Sequence, residues 1–550
     1  MRRLVISSLA ATCLLLSSTV ALATSAANLS DIYSSAEQTN QKSGGNGPAT
    51  GQIDGVVACS PSADPHIAQF AGNYLLDCDS AGPHNETTIA VNPTDSRNVV
   101  AASHSYLYDL DKNNALALLR VFTAAYVTRD GGATWTNVHP THKSFRFLTD
   151  PALAFDGDGR LYWSNVATHD SVGGAYSDVS VIVERSDDGG ISWTDPAVVA
   201  QGNGTVSNGG SHTLFNDKDW ITVDRTNGAY RGSVYVTWAR QQYEHDVQVE
   251  SPIYFVRSRD EGASWTTGAE ISGASALCSG GSGVPTRCDQ NDAGFSSPLV
   301  GPDGTIYVAF LNHQYAAGSL RDQVLLVTSS DGGDTWSAPT RVAGPIKDGD
   351  GDYPKNHSGL NTLAGCAFRI FNAGNLSISS AGRLYYVYAD QPTAGRTHVM
   401  VTTSAAPTAG AARTWTAPRQ VAATSAFDQI FPWGAVGNDG LLRVGYVERR
   451  SASGCLYGYS VATAQNATAT TFSAMPVETQ LSDAGNARFH RNDPANGDYR
   501  SRFIGDYTGI AMDGTHVWAA WTDMRAEVDP FFAIDGHPGL RTEHAAAVRR

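Results

Sequence analysis

The chain has 550 residues, of which 41% are hydrophobic and 17% charged, enough apolar material for a large core and too much for an intrinsically disordered chain. Its formal net charge of −15 argues against nucleic-acid and anionic-membrane partners, since both repel a strongly acidic surface.

Arg2 and Arg3, an apolar stretch from Leu4 to Leu22, and the small-x-small run Ala21-Leu22-Ala23 read as a signal peptide over residues 1–23. Cys13 lies inside that stretch without a lipobox ahead of it, and no later segment approaches the roughly 20 apolar residues of a membrane helix. A secreted protein, extracellular or periplasmic, with no membrane insertion is the expectation. Residues 24–54, rich in Ser, Ala, Gly, Asn and Gln, read as a flexible leader. Residues 55–550 read as one continuous array with no inter-domain linker.

Removal of Cys13 leaves six cysteines, which an oxidising compartment would pair in one of 15 ways. Proximity favours Cys278–Cys288 and Cys59–Cys78, leaving Cys366–Cys455 to join neighbouring repeats. No CxxC spacing points to a cysteine metal site.

One eight-residue phrase, (Ser/Thr)-x-Asp-x-Gly-x-(Ser/Thr)-Trp, occurs four times, at Thr128–Trp135, Ser186–Trp193, Ser258–Trp265 and Ser329–Trp336. Its Asp residues are Asp130, Asp188, Asp260 and Asp331, at intervals of 58, 72 and 71 residues. Such a period means a repeat architecture. Within each phrase the Asp and the hydroxyls are expected to bond local N–H groups and tie off a turn. The Trp is expected to plug the gap to the next unit.

A second signal runs alongside. Alternating apolar residues, a Gly/Asp/Asn turn and a second alternating strand recur in Glu86–Tyr106, Asp150–Asn165, Asp219–Arg240, Ser296–Asn312, Asn375–Asp390, Phe431–Arg449 and Asp506–Arg525. The first four are each followed by a phrase, and the fifth by a decayed copy with Ser404 and Arg413-Thr414-Trp415. The expectation is an all-β fold, a single β-propeller of four-stranded blades. Seven blades are favoured and six are the alternative. The last blade is expected to close with either the end of the chain or the stretch near residues 55–75.

The repeated phrase resembles the Asp-box, or bacterial neuraminidase repeat, of sialidase-type β-propellers. His84-Asn85-Glu86-Thr87-Thr88, Asn216-Asp217-Lys218-Asp219-Trp220, Gly505-Asp506-Tyr507-Thr508-Gly509 and Trp521-Thr522-Asp523-Met524-Arg525 resemble text in a secreted bacterial sialidase-like group, over most of residues 84–532. The resemblance implies that ligands bind where the first strands start, with the Asp-boxes on the opposite face. First-strand starts then offer Glu86, Asp150, Asp217, Lys218, Asp219, Asn375, Asp506 and Tyr507. Second-strand ends offer His104, Asn165, Arg240, Asn312, His313, Asp390, Glu448, Arg449, Asp523 and Arg525.

For a sialidase, the resemblance implies an arginine clamp on the sugar carboxylate, a Tyr nucleophile with a Glu base, and an Asp acid. Positional candidates are Arg240, Arg449 and Arg525 for the clamp, Tyr507 with Glu448, and Asp150; Asp390, Asp523, His104 and Glu86 complete the substrate-binding set. The family's Phe/Tyr-Arg-Ile-Pro phrase is absent, and Phe368-Arg369-Ile370-Phe371 lacks its proline. The rim carries more carboxylates than arginines, which suits a neutral or amino sugar better than an anionic one.

Asp348, Asp350 and Asp352 alternate with other residues in a way that can converge oxygens on Ca²⁺, although Tyr353 stands where a Ca²⁺ loop has Gly. No cofactor is required, and Ca²⁺ is the one considered. The function expected is a secreted sialidase-like glycoside hydrolase acting on an extracellular glycan or glycoprotein. A non-catalytic glycan- or protein-binding propeller and a polysaccharide lyase, with His104 as a candidate base, stay open beside it.

Overall fold

In the computed structural model the described residues are 55–59, 74–76, 84–524 apart from short loop stretches and the longer stretch 485–503, and 544–550. Their strands form seven principal sheets, each built on four antiparallel strands and three of them carrying a fifth, arranged as a seven-bladed propeller, and no α-helix occurs among the described residues. The innermost strands of blades 1 to 7 are His84–Val91, Phe147–Phe155, Thr213–Val223, Asn291–Val300, Asn375–Ile378, Gln429–Val436 and Gly509–Asp513.

The hairpins follow from local chemistry. In blade 2, Leu153-Ala154-Phe155 pairs with Leu161-Tyr162-Trp163 across a tight turn. Asp156 Oδ1 closes that turn by accepting the N–H groups of Asp158 and Arg160 at 2.8 and 2.9 Å, while Gly159 takes φ 91°.

The four repeated phrases form one turn four times. In the first, Asp130 Oδ1 accepts the Thr134 N–H at 2.9 Å, Oδ2 accepts the Thr134 hydroxyl at 2.6 Å, and the Thr128 hydroxyl takes the Gly132 N–H at 2.8 Å. Asp188, Asp260 and Asp331 repeat the set. These bonds hold all four carboxyls below the usual Asp range.

The core is a ring of seams. Six apolar clusters each join two successive blades, among them the one that packs blade 7 (Trp518, Ala520) on blade 1 (Ile89, Val99), and a seventh joins blades 6 and 7 and runs on to Phe295 of blade 4. Trp135, Trp193, Trp265 and Trp336 each sit in the seam with the preceding blade, not the next one. The reason is in Trp135, which meets Trp518 of blade 7 edge-on at 6.0 Å. Trp415 of the decayed fifth copy occupies the same seam position between blades 4 and 5.

Both stretches considered for closure are used. Residues His544–Arg549 supply the third strand of blade 7, and Tyr74–Leu75 pairs outside it. Gly55–Cys59 instead adds a fifth strand to the outer edge of blade 1. Disulfides Cys278–Cys288 and Cys366–Cys455 are formed, in keeping with an oxidising compartment. Cys78 lies outside the described residues, so the Cys59–Cys78 pairing does too. No helix of the described residues is long and apolar enough to cross a membrane.

Candidate functional site

Three inner strands carry the same irregularity near the face where they start. Pairing skips between Asn85 and Thr88, between Thr149 and Ala152, and between Asp217 and Trp220. At each skip one residue takes a left-handed backbone: Glu86 (φ 54°), Asp150 (φ 55°) and Lys218 (φ 49°). Blade 6 repeats the device with Phe431 (φ 51°). Non-glycine residues pay of order 1–3 kcal/mol for such conformations, which cluster where geometry serves a site. A bulge also re-aims its side chain.

The side chains so aimed converge. Lys218 Nζ lies 3.4 Å from Asp150 Oδ1 and 3.3 Å from the centre of the Tyr507 ring. Arg369 grips Asp506 with two parallel bonds, Nε to Oδ1 at 2.9 Å and Nη2 to Oδ2. Glu86 and Asp506 lie close enough that each shifts the other's proton affinity. Gly505 permits this approach, because a β-carbon there would stand 2.7 Å from the Glu86 nitrogen. Behind Glu86, His104 Nδ1 sits 3.1 Å from Oε2 and 3.0 Å from the Tyr106 hydroxyl.

Under the charges lies an aromatic floor made of Trp220, Phe295, Trp433 and Tyr507 from blades 3, 4, 6 and 7 and of Phe371, which follows the hairpin inserted before blade 5. Trp220 and Trp433 approach to 4.6 Å, and Tyr507 meets Trp220 edge-on at 5.8 Å. Phe295 lies 6.2 Å from Phe371. Asp150 and Asp506 are each partly open to solvent, with 13% of the side chain exposed.

Five acids in one place cannot all ionise. Two unit charges 4 Å apart repel by about 4 kcal/mol at an effective dielectric of about 20. Burial first, then the Asp150 charge, pushes Glu86 up to about 7. Burial likewise lifts Asp506 to about 7 against the pull of Arg369, and Asp219 to about 8. Asp217 is also raised well above the usual range, mainly by burial. Burial, then the carboxylates of Glu86, Asp150, Asp219 and Asp506, keeps the Tyr507 phenol well above its ordinary value. Burial pushes His104 down to about 3, leaving a neutral imidazole at physiological pH. Several buried polar atoms of the cluster have no hydrogen-bond partner, among them Tyr507 Oη, Lys218 Nζ and both Asp219 oxygens. Buried groups of this kind are costly unless something satisfies them.

Of the residues singled out from sequence, Tyr507, Asp150, Glu86 and His104 come together here. Glu448 makes its contacts elsewhere, with the Ser425 hydroxyl at 2.6 Å and Arg450 Nε at 2.5 Å. Arg240 lies over the Tyr254 ring at 4.8 Å. Arg449 pairs with Asp428 at 2.7 Å. Asp390 accepts the N–H groups of Lys347 and Gln391, and Asp523 that of the Trp521 indole. Arg525, Asp348, Asp350 and Asp352 lie outside the described residues. No cluster of three His, Cys, Asp or Glu able to hold a metal occurs among the described residues.

Arg369 belongs to none of the seven hairpins, and its local signals are the proline-less phrase Phe368-Arg369-Ile370-Phe371 and the nearby Cys366. Lys218, Asp217, Asp219 and Asp506 stood among the first-strand starts of the expected rim, and they too meet in this cluster.

The strand order puts the cluster and the repeated turns at opposite ends of the blades. Inner strands start at the cluster face, so each turn between third and fourth strands emerges at the other.

No family model matches the chain, and no curated protein does. Among solved structures it is similar to a protein of unknown function from Dyadobacter fermentans, with a TM-score of 0.41 and 13% identity over 90% of this chain and 99% of that one. It is similar to the leech intramolecular trans-sialidase, with a TM-score of 0.40 and 13% identity over 69% and 68% of the two chains. It is also similar to an α-L-arabinofuranosidase of Fusarium graminearum, with a TM-score of 0.38 and 12% identity over 74% and 95%.

Proposed function

We propose that the protein is a secreted glycoside hydrolase that cleaves extracellular carbohydrate at the centre of the propeller with carboxyl groups. The observation that carries this reading is the convergence of Glu86, Asp150 and Asp506 from three blades, two of them kept protonated to about pH 7 beside a third paired with Lys218. Glycoside hydrolysis needs a carboxylic acid to protonate the leaving oxygen and a carboxylate to attack or to activate water. Pairs of acids pushed apart in proton affinity supply both roles. Glu86, which burial keeps protonated to about pH 7, serves as the acid, and Asp150, 3.4 Å from Lys218 Nζ, serves as the carboxylate. The aromatic rings suit the apolar face of a sugar. Tyr507, kept a neutral phenol, contributes its hydroxyl to substrate.

Within the resemblance to sialidase-like Asp-box propellers, the sugar is neutral or amino rather than anionic. A sialidase clamp takes three arginines, whereas among the described residues Arg369 is the one arginine of this cluster, and it already holds Asp506. The excess of carboxyls repels a second anion.

A panel of fluorogenic glycosides tests the reading: pentosides, hexosides and hexosaminides, a sialoside, and uronate polymers followed for unsaturated product. Hydrolysis of a neutral or amino glycoside, lost in Glu86→Gln and Asp150→Asn, is expected. Cleavage of the sialoside alone would favour an arginine clamp, and unsaturated product a lyase. Silence throughout, with retention on a glycan array, would make the propeller a non-catalytic binder.

A further inference from the structure

Arg369 reaches the cluster from outside the blade pattern. It ends a small hairpin, Thr362–Leu363 with Cys366–Arg369, inserted between the last strand of blade 4 and the first strand of blade 5. Its side chain crosses to Asp506 of blade 7. A two-stranded hairpin of this size is marginal on its own, and an arginine at its end would wander.

Two long-range ties prevent that. Cys366 is bonded to Cys455, 89 residues away, just before the third strand of blade 6 (Leu456–Ala464). Arg449, at the end of the second strand of blade 6, donates to the carbonyl of Ala364 at the hairpin tip while pairing with Asp428 at 2.7 Å. Cys366, Cys455 and Arg449 are all buried. The hairpin is thus fixed to blade 6, and its arginine is delivered to blade 7.

We propose that the Cys366–Cys455 disulfide and Arg449 form a two-point clamp on this hairpin, and that Arg369, so clamped, is the positioning residue that fixes the Glu86–Asp506 carboxyl pair. The proposal rests on the reading of this pair as the acid of the reaction. Arg369 opposes the upward push of burial on both carboxyls. The other groups facing the pair are His104 from blade 1, Asp150 from blade 2, Asp217, Lys218 and Asp219 from blade 3, and Tyr507 from blade 7. None of these is carried by the hairpin, so loosening the clamp removes the Arg369 contribution alone.

The test needs no substrate. Protonated carboxyls of the full chain are titrated by difference infrared spectroscopy, with Glu86→Gln and Asp506→Asn identifying the band of the pair. Removing an opposite charge at this range raises a carboxyl midpoint by about one pH unit. Arg369→Gln and the double variant Cys366→Ala/Cys455→Ala should each produce that rise, and combining them should add nothing further. Near-UV circular dichroism checks that the double variant keeps native packing. Should it fail to fold, Arg449→Lys loosens the second point while keeping a cation for Asp428, and a smaller rise is expected.

The proposal is overturned if Arg369→Gln leaves the midpoint in place. It is equally overturned if Arg369→Gln moves the midpoint but neither the folded double variant nor Arg449→Lys does. The expected rises in a protein that cleaves no glycoside would support the clamp while sinking the hydrolase.

Discussion

Replacing Glu86 with glutamine should make the protein more stable and less active at the same time. The carboxyl is buried and raised from its ordinary 4.5 to about 7, chiefly by burial and then by Asp150. Below pH 4.5 the folded and unfolded chains both hold the proton, so the charge conflict is absent. Between 4.5 and 7 the folded state keeps a proton that the unfolded state has released, and stability falls as pH rises. Above 7 the full penalty is present, about 3 kcal/mol at about 1.4 kcal/mol per pH unit. The glutamine oxygen can still face His104 Nδ1, so the substitution mainly removes the charge. At pH 8 the variant should therefore exceed wild type by about 3 kcal/mol, and at pH 4 the two should be nearly equal. For a chain of this size, with an unfolding entropy of about 1 kcal/mol per kelvin, that is a rise of about 3 °C in Tm at pH 8. Calorimetry at pH 4, 6 and 8 at a matched scan rate reads it directly. A stability difference that is absent at pH 8, or that does not change with pH, would refute the reasoning. Glycoside turnover by the variant should fall by about 10²–10⁴-fold, the usual worth of a positioned acid.

Three further outcomes follow from the same geometry. Lys218→Met removes the cation that restrains Glu86, so the alkaline limb of a kcat/KM profile, where activity is lost as pH rises through about 7, should move to higher pH; an unmoved limb would separate Lys218 from the acid. Asp188→Ala deletes an acceptor for Ser186, Ile191 and Ser192 and should cost about 2 kcal/mol in denaturant unfolding, with kcat unchanged because the turn lies on the far face. Trp135→Ala empties the seam against Trp518 and should cost about 4 kcal/mol, with hydrogen exchange rising first between blades 1 and 7; a rise spread evenly over all blades would contradict a ring closed at that seam.

What the sequence revealed depended on range. The repeated turns were legible because Asp130 bonds groups within its own octad, so local text specifies local structure. The inner hairpins were legible because period-two alternation reports a sheet without naming its neighbours. Closure was harder. Tyr74–Leu75 meets Ala546 and Ala547 across nearly the whole chain, and nothing near Tyr74 names that partner. The site divides the same way. Glu86 and Asp150 stood out as first-strand starts, yet the raised proton affinity of Glu86 arises only when blades 1, 2, 3 and 7 meet. Glu448 and Arg449, equally plausible as second-strand ends, are drawn to Ser425, Arg450 and Asp428 by neighbours that sequence position does not reveal. Arg369 depends on a disulfide to a cysteine 89 residues away.

The most direct test of the central claim is a crystal structure of Glu86→Gln bound to an oligosaccharide that the wild-type protein hydrolyses in the glycoside panel. The sugar should lie against Trp220 and Tyr507, with the scissile oxygen at residue 86 and the anomeric carbon facing Asp150. A sugar held on the face of the repeated turns, or one in the centre that contacts neither residue 86 nor Asp150, would contradict the account.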